Sequence, residues 1–303
     1  MKKNLVHFYY FLFNLQCKLL RLFFSHYAFF SFTAKKLIFS PTIKQLRAAE
    51  RDLRLRNIKN YRVIFDIFNI SKKKGAILDV GGNLGYSALA FRLALQNNDL
   101  DIYSFEPYPL NIRFLYKNVS GNNIKVIPLG LGNFNQTLDI GFPDYTKTIM
   151  NNDDRLNTGR ISFVGLNSQK QSKKMQQAKI VNGDSYLKKK KIYLKNILFV
   201  KIDVEGYEIE VLKGLKKTLN MCRPLVQMEA NLETMRLSRT SILDIKKIAI
   251  TCNYRIYIMC KKSLVLLSEG WDKTNLPNTV NELFFIPKER HNLPKKIFFV
   301  QNS

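Results

Sequence analysis

The sequence predicts an α/β fold in which a mostly parallel sheet carries helices on both faces, preceded by a helical extension at the N-terminus. Two observations support this fold class. Strand and helix patterns alternate from Ala76 to Leu129, as they do in chains built from right-handed βαβ units. In addition, the apolar run Ile77 to Val80 ends in a glycine turn, Gly81 to Gly85. That suits a buried parallel strand leading into a helix at a nucleotide site.

The spacing of apolar residues assigns each element of the domain at residues 74–303. Short apolar runs predict strands at residues 76–80, 102–105, 124–129, 197–204, 225–229, 254–259, 263–267 and 281–286, the last two antiparallel. Apolar residues three and four apart predict helices at residues 86–95, 109–118, 207–219 and 242–252. The polar stretch at about 132–179 breaks this rhythm. It predicts an insertion, either a surface loop or a lid that selects the substrate.

The segment 1–40 differs in kind, because Phe, Leu and Tyr crowd it while Lys18 and Arg21 interrupt it. Its apolar runs are shorter than the roughly 20 residues that a spanning helix needs. A helix here would place its polar residues on one stripe, which predicts an amphipathic helix lying in an anionic membrane surface. The alternative is packing on the protein's own core or on a second subunit. The apolar spacing of residues 41–73 predicts a helical lead-in, one or two helices ahead of the domain. We expect it to cover the cofactor or substrate side of the sheet.

Composition bounds the class of protein and its location. The 303 residues carry a net charge of +26, with basic residues spread along the whole chain. An anionic membrane surface or a generally Lys- and Asn-rich composition explains that charge better than a nucleic acid does. Cys17, Cys222, Cys252 and Cys260 lack the spacing of a zinc site or a disulfide framework. A cytoplasmic location is expected, peripheral on the inner membrane face if residues 1–40 bind there.

Two acids and the glycine turn indicate a bound ligand that is not a dinucleotide. The fingerprint G-x-G-x-x-G fails because Asn83 stands two residues after Gly81. Asp79, at the end of the first strand, suits a cationic ligand better than a pyrophosphate. Glu106 follows the next strand, where a carboxylate of such a fold grips ribose hydroxyls. The candidate cofactor-binding residues are Asp79, Gly81, Gly82, Asn83, Gly85, Glu106 and Pro107.

A third group of ionisable residues follows the strand predicted at 197–204. Side chains alternate along a strand, so Lys201, Asp203 and Glu205 are expected on one face, and Gly206 lets the chain turn into the next helix. A local ion pair between Lys201 and an acid would explain these residues without any function. The functional explanation is a cleft at the carboxyl edge of the sheet, which brings the acids beside the cofactor.

Together these segments resemble the FkbM family of S-adenosylmethionine-dependent methyltransferases. The resemblance covers roughly residues 74–286 and rests on residues 77–85, Phe105-Glu-Pro107, Lys201-Ile-Asp-Val-Glu-Gly-Tyr-Glu208, Val211-Leu-Lys-Gly214 and Glu229. It implies a seven-stranded class I methyltransferase fold, with the cofactor over residues 79–85 and Glu106. It also implies O-methylation, for which a saccharide, glycolipid or cell-surface polysaccharide precursor is the first expectation. An RNA methyltransferase and a non-catalytic, membrane-attached scaffold of the same fold are the alternatives.

Methyl transfer to a hydroxyl requires alignment of the reacting atoms and a group that accepts the hydroxyl proton. The three histidines lie outside the predicted core, so a histidine base is not expected. The base is assigned to Asp203 or Glu205, with Lys201 as orienting partner and Glu229 as a weaker candidate. These carboxylates could instead hold a divalent metal. The sequence offers no complete ligand set, and no metal ligand is assigned.

Overall fold

A computed structural model describes most of the predicted domain. The described residues are 29–33, 36–40, 55–95, 100–141, 162–163, 175–192, 196–260, 263–267, 280–290 and 296–298. None of the helices in these ranges is long and apolar enough to cross a membrane. Residues 1–28 and 41–54, which hold most of the predicted N-terminal helix and part of the lead-in, lie outside the described residues.

The strands and helices alternate through most of the chain. The strands are β1 Phe29–Thr33, β2 Lys36–Ser40, β3 Gly75–Val80, β4 Leu100–Phe105, β5 Ile124–Ile127, β6 Gly130–Gly132, β7 Gln136–Ile140, β8 Gln176–Asn182, β9 Ile197–Ile202, β10 Leu225–Asn231, β11 Tyr254–Cys260, β12 Ser263–Leu266, β13 Val280–Pro287 and β14 Lys296–Phe298. The helices are α1 Leu55–Ile67, α2 Tyr86–Ala94, α3 Pro109–Val119, α4 Gly183–Lys189, α5 Glu208–Gly214, α6 Lys216–Cys222, α7 Leu232–Leu237 and α8 Ile242–Thr251.

The main sheet has the order β14-β12-β11-β13-β10-β9-β3-β4-β5. The five strands from β10 to β5 run parallel, and β13 enters antiparallel between β10 and β11. Seven strands, from β5 to β11, form a mostly parallel sheet between helices, which confirms the predicted α/β fold class. The sheet extends beyond these seven because β12 and β14 add antiparallel pairs outside β11. The strands predicted at 263–267 and 281–286 lie antiparallel on either side of β11.

Two layers of apolar side chains cover the sheet. β3 is buried at every residue, as expected for a parallel strand with helices on both faces. On one face, the ring of Phe199 from β9 meets those of Phe65 from α1 and Phe91 from α2 edge-on, with centroids 5.3 and 5.4 Å apart. On the other face, α5 and α6 contribute Leu212 and Leu219 to a second cluster. Both faces of the sheet are therefore covered by a packed core.

The helix predicted over residues 1–40 is wrong for the part that the structure describes. β1 and β2 pair antiparallel as a hairpin rich in aromatic and β-branched residues, which favour strands. Ile38 is buried in the core. The buried side chain of Asn118 accepts a hydrogen bond from the Phe39 N–H at 2.8 Å and donates one to the Phe39 carbonyl at 2.9 Å. This part of the segment thus packs on the protein's own core, which was the alternative to membrane contact.

The insertion predicted at about 132–179 contains a second, small sheet. β6, β8 and β7 form it in that order, with β7 and β8 antiparallel. Outside these three strands, a single bridge joins Gly141 to Ser162. Residues 142–161 and 164–174 lie outside the described residues.

The single helix predicted at 207–219 is two helices, α5 and α6. Gly214 ends α5 where the helix lies on the Gly132 backbone, and a Cβ on Gly214 would come within 1.9 Å of the Gly132 carbonyl oxygen. Asp184 then accepts hydrogen bonds from the N–H groups of Lys217 and Thr218, which lack partners at the start of α6. A close backbone contact and a capping acid distant in sequence therefore divide the helix.

The short helices α4 and α7 were not predicted. Each begins at an asparagine, Asn182 or Asn231, whose side-chain oxygen accepts a hydrogen bond from a backbone N–H of the first turn. Seven and six residues are too few to show a helical period.

Candidate active site

A cavity of about 460 Å³ opens at the carboxyl ends of the central strands. β3 lies between β4 and β9, so the chain leaves β3 toward one side of the sheet and returns on the other. In open α/β sheets this switch point is where ligands bind. Asn60, Tyr61 and Ile64 of α1 line one wall, so the helical lead-in covers the cavity as predicted.

The glycine turn after β3 allows a ligand to approach the backbone closely. Gly81 has a φ of +85°, and a Cβ there would lie 1.8 Å from the Asp203 carbonyl oxygen. A Cβ on Gly82 would lie 2.0 Å from the Ser104 hydroxyl oxygen. Asn83 takes a φ of 46°, a left-handed conformation that asparagine tolerates better than most residues. Gly81, Gly82 and Asn83 all line the cavity, and their contact with the cofactor stays a prediction.

Asp79 and Gly85 lie beneath the cavity wall rather than on it. The Asp79 carboxylate is fully buried and accepts hydrogen bonds from the hydroxyls of Ser87 and Ser104, each at 2.8 Å. Burial raises the pKa of Asp79, and the nearby Lys201 ammonium opposes that rise. Gly85, with a φ of +90°, packs against side chains of α3. Both residues position the turn, and direct contact of either with the cofactor remains a prediction.

Glu106 is on the cavity wall beside the turn, with Pro107 next to it. One carboxylate oxygen accepts the Asn83 N–H at 2.8 Å and the other accepts the Tyr108 N–H at 2.9 Å. Burial raises the pKa of Glu106 to about 7, although these hydrogen bonds and one from the Asn111 side chain act to lower it. Each carboxylate oxygen can accept about two hydrogen bonds, so Glu106 can still accept hydrogen bonds from ribose hydroxyls.

Three buried amide oxygens in the cavity wall have no hydrogen-bond partner within the described ranges. They belong to Asn83, Asn111 and Gln227. A buried, unpaired carbonyl oxygen is costly, so each is a site where a ligand donor would be stabilised. Asn111 was not predicted as a site residue. It lies in the first turn of α3, and no local motif marks it.

Lys201 is the central cation of the site. Its ammonium lies 2.9 Å from an oxygen of Asp203, and in the sheet register Lys201 pairs with Asp79 on β3. Burial acts to lower the pKa of Lys201, but Asp203, Asp79 and the Tyr61 hydroxyl together hold the pKa above its usual value. The predicted ion pair therefore exists inside the cavity rather than on the surface.

The turn after β9 brings the predicted catalytic acids into the cavity. Glu205 has a φ of 54° and Gly206 a φ of 106°. The buried Glu208 carboxylate holds this turn by accepting hydrogen bonds from the N–H groups of Val204 and Gly206 at 3.0 to 3.1 Å. Burial raises the pKa of Glu208 to about 7 against these bonds. Glu208 therefore positions the turn that carries Glu205. In the sequence it stands out only as the last residue of the block from Lys201 to Glu208.

Three carboxylates converge at the carboxyl ends of β9 and β10. Asp203, Glu205 and Glu229 can each place one oxygen within 4.8 Å of the others. Burial and the charges of Asp203 and Glu208 raise the pKa of Glu229 to about 8, although Lys201 acts to lower it. All three residues line the cavity, so the structure brings the predicted acids together.

A family model described as "Methyltransferase FkbM domain" matches residues 79–256, which is more than half of the chain. The chain belongs to the FkbM methyltransferase family. The matched range spans the turn after β3, Glu106, the carboxylates of β9 and β10, and most of the sheet. This FkbM domain is the one that the sequence motifs resemble, and the family is described as a methyltransferase family.

Among curated proteins, hexuronic acid methyltransferase AglP of Haloferax volcanii is 27% identical over 175 residues. That alignment covers 57% of this chain and 64% of AglP, so just under two thirds of that relative is spanned. A solved FkbM methyltransferase of Methylobacillus flagellatus shares 16% identity, with a TM-score of 0.41 over 70% of this chain and 43% of that one. An O-methyltransferase of Bacillus cereus shares 14% identity, with a TM-score of 0.40 over 80% and 88%.

The residues on the cavity wall fit the cofactor of the FkbM family. The turn at Gly81 and Gly82 leaves no room for side chains, so an adenosyl ligand can lie on its backbone. Glu106 can accept ribose hydroxyls, and the unpaired oxygens of Asn83 and Asn111 can accept donors of the base or the amino acid part.

Proposed function

We propose that the chain transfers a methyl group from S-adenosylmethionine to a sugar hydroxyl, on a glycolipid or a cell-surface polysaccharide precursor. One observation carries the proposal. The glycine turn and Glu106 share a single cavity with Lys201, Asp203 and Glu205. Groups that suit the cofactor and groups that can accept a proton therefore line the same space.

When bound, S-adenosylmethionine supplies a methyl carbon that its sulfonium sulfur already activates. The chain's own contribution is to orient the acceptor oxygen and to take its proton, because an alcohol attacks poorly while it stays protonated. We assign the proton-accepting role to Asp203 or Glu205. Lys201 orients the Asp203 carboxylate through the 2.9 Å ion pair.

The acceptor is proposed to be a hydroxyl rather than a carboxylate. The relative AglP supports a saccharide, since its name gives hexuronic acid as the substrate. In this chain, however, Glu229 and Glu282 join Asp203 and Glu205 on the cavity wall. An ionised uronic acid would be repelled by those of the four acids that are ionised, whereas a neutral hydroxyl can donate a hydrogen bond to such a carboxylate.

Transfer of labelled methyl groups to matched acceptors tests this function. A hexoside, the corresponding hexuronide, a lipid-linked oligosaccharide fraction and RNA would be compared. We expect label in the neutral sugars, and a loss of about 100-fold in turnover, the usual size of a general-base contribution, for Asp203→Asn or for Glu205→Gln, whichever removes the base. Asp101→Asn, which removes a surface ion pair with Lys125, is the control and should keep full turnover. Label confined to the hexuronide or to RNA would overturn the proposal.

We also propose that residues 1–28 attach the enzyme to an anionic membrane surface. Support comes from the aromatic and basic composition of this segment, which suits the headgroup region. Flotation with anionic vesicles would compare the full chain with a chain that begins at Phe29. The cut is placed before β1 because β1 pairs with β2, and β2 packs on the core. Equal flotation of the two chains would refute attachment.

A further inference from the structure

The residues that line the cavity fall into two groups along the chain. Those inside the family-matched range, residues 79–256, include the glycine turn, Glu106 and the acids after β9. Those outside it come from α1, from the end of β11 and from β13, and they are Asn60, Tyr61, Ile64, Met259, Glu282 and Phe284. Members of a methyltransferase family share a methyl donor, whereas the acceptor site can vary on one fold. The second group is therefore the candidate lining of the acceptor subsite.

The strand order separates the two groups in space. The groups that suit the cofactor follow β3 and β4, whereas the second group includes residues of β13 and β11, on the far side of β9 and β10. Neighbouring strands are about 4.8 Å apart, so β13 lies roughly 14 Å from β3. The cavity therefore extends from the glycine turn to strands that the cofactor-binding elements do not include.

Tyr61 of α1 faces this second part of the cavity. Tyr61 and Phe65 are four residues apart, so they lie on the same side of the helix. The ring of Phe65 meets that of Phe199 on β9, with centroids 5.3 Å apart. Lys201 follows Phe199 by two residues and pairs with Gln227 in the register, so all three side chains are on the sheet face that α1 covers. Tyr61 is thus the cavity-lining side chain of α1 nearest in register to Lys201 and Gln227.

The Tyr61 side chain is fixed in position and carries a neutral hydroxyl. Its ring meets that of Phe91 on α2 edge-on, with centroids 4.8 Å apart. Burial and the Glu282 carboxylate raise the pKa of Tyr61. The Lys201 ammonium and a hydrogen bond with the Gln227 side chain act to lower this pKa, so the hydroxyl lies near these groups. The hydroxyl stays protonated at neutral pH and can donate a hydrogen bond to a ligand in the cavity.

We propose that Tyr61 orients the acceptor sugar by donating a hydrogen bond to one of its oxygens, in a subsite lined by the second group of residues. This inference rests on the proposed function and deepens it, because it names the part of the cavity that receives the sugar. A neutral sugar presents hydroxyls at its edge and C–H groups on its ring faces. The subsite offers the polar side chains of Asn60 and Tyr61 beside the apolar side chains of Ile64 and Met259.

Gln227 supplies a hydrogen-bond acceptor in the same cavity. Its side chain is 4% exposed and lines the cavity. The amide nitrogen donates to Glu282 at 3.1 Å, whereas the buried amide oxygen has no hydrogen-bond partner among the described residues. An unpaired buried oxygen is costly, so a hydroxyl donated by the bound sugar would stabilise the complex.

Steady-state methyl transfer by the full chain, with a neutral hexoside and with RNA as acceptors, tests the proposal beside calorimetry of S-adenosylhomocysteine. Tyr61→Phe removes the hydroxyl and keeps the ring that meets Phe91. We expect the KM for the hexoside to rise by about 5–10-fold, the size of one lost hydrogen bond. The kcat and the affinity for S-adenosylhomocysteine should stay as in the unmodified chain. Tyr116→Phe, at a half-exposed position on α3, is the matched control and should change none of these quantities.

Tyr61→Trp is the second variant, because its larger ring would occupy the subsite. It should abolish transfer to the hexoside while S-adenosylhomocysteine still binds with unchanged affinity. A thermal melt of each variant shows whether it is folded.

Two outcomes would overturn the role of Tyr61. An unchanged hexoside KM in Tyr61→Phe would do so and leave the proposed function intact. Binding of S-adenosylhomocysteine that is 10-fold weaker in folded Tyr61→Phe would instead place the hydroxyl beside the cofactor. Conversely, transfer to RNA alone, with a KM for RNA that rises in Tyr61→Phe, would refute the sugar acceptor and leave Tyr61 as the residue that orients the acceptor.

Discussion

The backbone N–H of Asn83 donates to the Glu106 carboxylate over 2.8 Å, and this bond joins the glycine turn after β3 to the end of β4. The two cofactor elements that the sequence identifies separately are thus one unit. A change at Glu106 alters the turn as well as the group that would receive the ribose.

Cofactor affinity should depend on pH through Glu106. Burial raises the pKa of Glu106 to about 7, and a cationic ligand with hydroxyl donors favours the ionised carboxylate. Affinity for S-adenosylmethionine should therefore fall as the pH drops below about 7, by up to 10-fold per pH unit, because binding then releases a proton. Calorimetry between pH 5.5 and 8 measures this. Glu106→Gln should bind more weakly with a flat profile, and a profile as steep as the parent's would assign the effect elsewhere.

Gly81→Ala should unfold more easily than a comparable glycine change. The new Cβ would lie 1.8 Å from the Asp203 carbonyl oxygen, at a φ of +85°. We expect a loss of about 2–4 kcal/mol of unfolding free energy from strain and overpacking. Gly121→Ala is the control, since Gly121 has a φ of +72° but nothing within 4 Å of the new Cβ. It should lose only the backbone strain, about 1–2 kcal/mol. Equal losses in urea denaturation would contradict the close approach.

Lys201→Met should destabilise the protein, and more at high pH. The change leaves the buried carboxylate of Asp79 without its compensating charge, which costs about 3–5 kcal/mol for a broken buried pair. As the pH falls, Asp79 takes up a proton and the loss shrinks. Lys213→Met removes an exposed pair with Glu210 and should change stability by about 0.5 kcal/mol or less. Denaturation at pH 5 and pH 8 separates these outcomes.

Asn118→Ala should release the hairpin of β1 and β2. The Asn118 side chain bonds both backbone groups of Phe39 and donates to the Leu84 carbonyl at 2.7 Å. Losing these buried bonds should cost about 2–4 kcal/mol and expose Lys36 to trypsin. Asn122→Ala, which loses only local bonds to Val119 and Ser120, serves as comparison. Unchanged cleavage after Lys36 in Asn118→Ala would show that the hairpin is held by other contacts.

The sequence predicts the central strands and the paired motifs because their signals are local. The apolar run into Gly81 marks β3, and the block from Lys201 to Glu208 marks the end of β9, so the turn, Glu106 and the acids could all be assigned. The convergence of Asp203 and Glu229 follows once β9 and β10 are taken as neighbours. These features need only patterns within short stretches of chain and the rules of parallel sheets.

The features that the sequence does not predict depend on partners far along the chain. Asn118 and Phe39 are 79 residues apart, and nothing in the aromatic segment around Phe39 shows that a buried amide will hold it as a strand. The Gln227 side chain donates a hydrogen bond to Glu282 on β13, and the two residues are 55 positions apart in the chain. The division of α5 from α6 likewise follows from Gly132 and Asp184. Pairing across the sheet, and not local propensity, decides each of these.

The side-chain amide of Asn118 therefore forms hydrogen bonds with two separate segments of the protein. It holds the hairpin through Phe39 and the cofactor turn through Leu84. Residues 29–40 are consequently not an exchangeable module. A chimaera that borrowed the N-terminal arm of another family member would have to bring a compatible residue at position 118, or it would loosen the loop that receives the cofactor. Among family members, residues 29–40 and α3 should for that reason vary together.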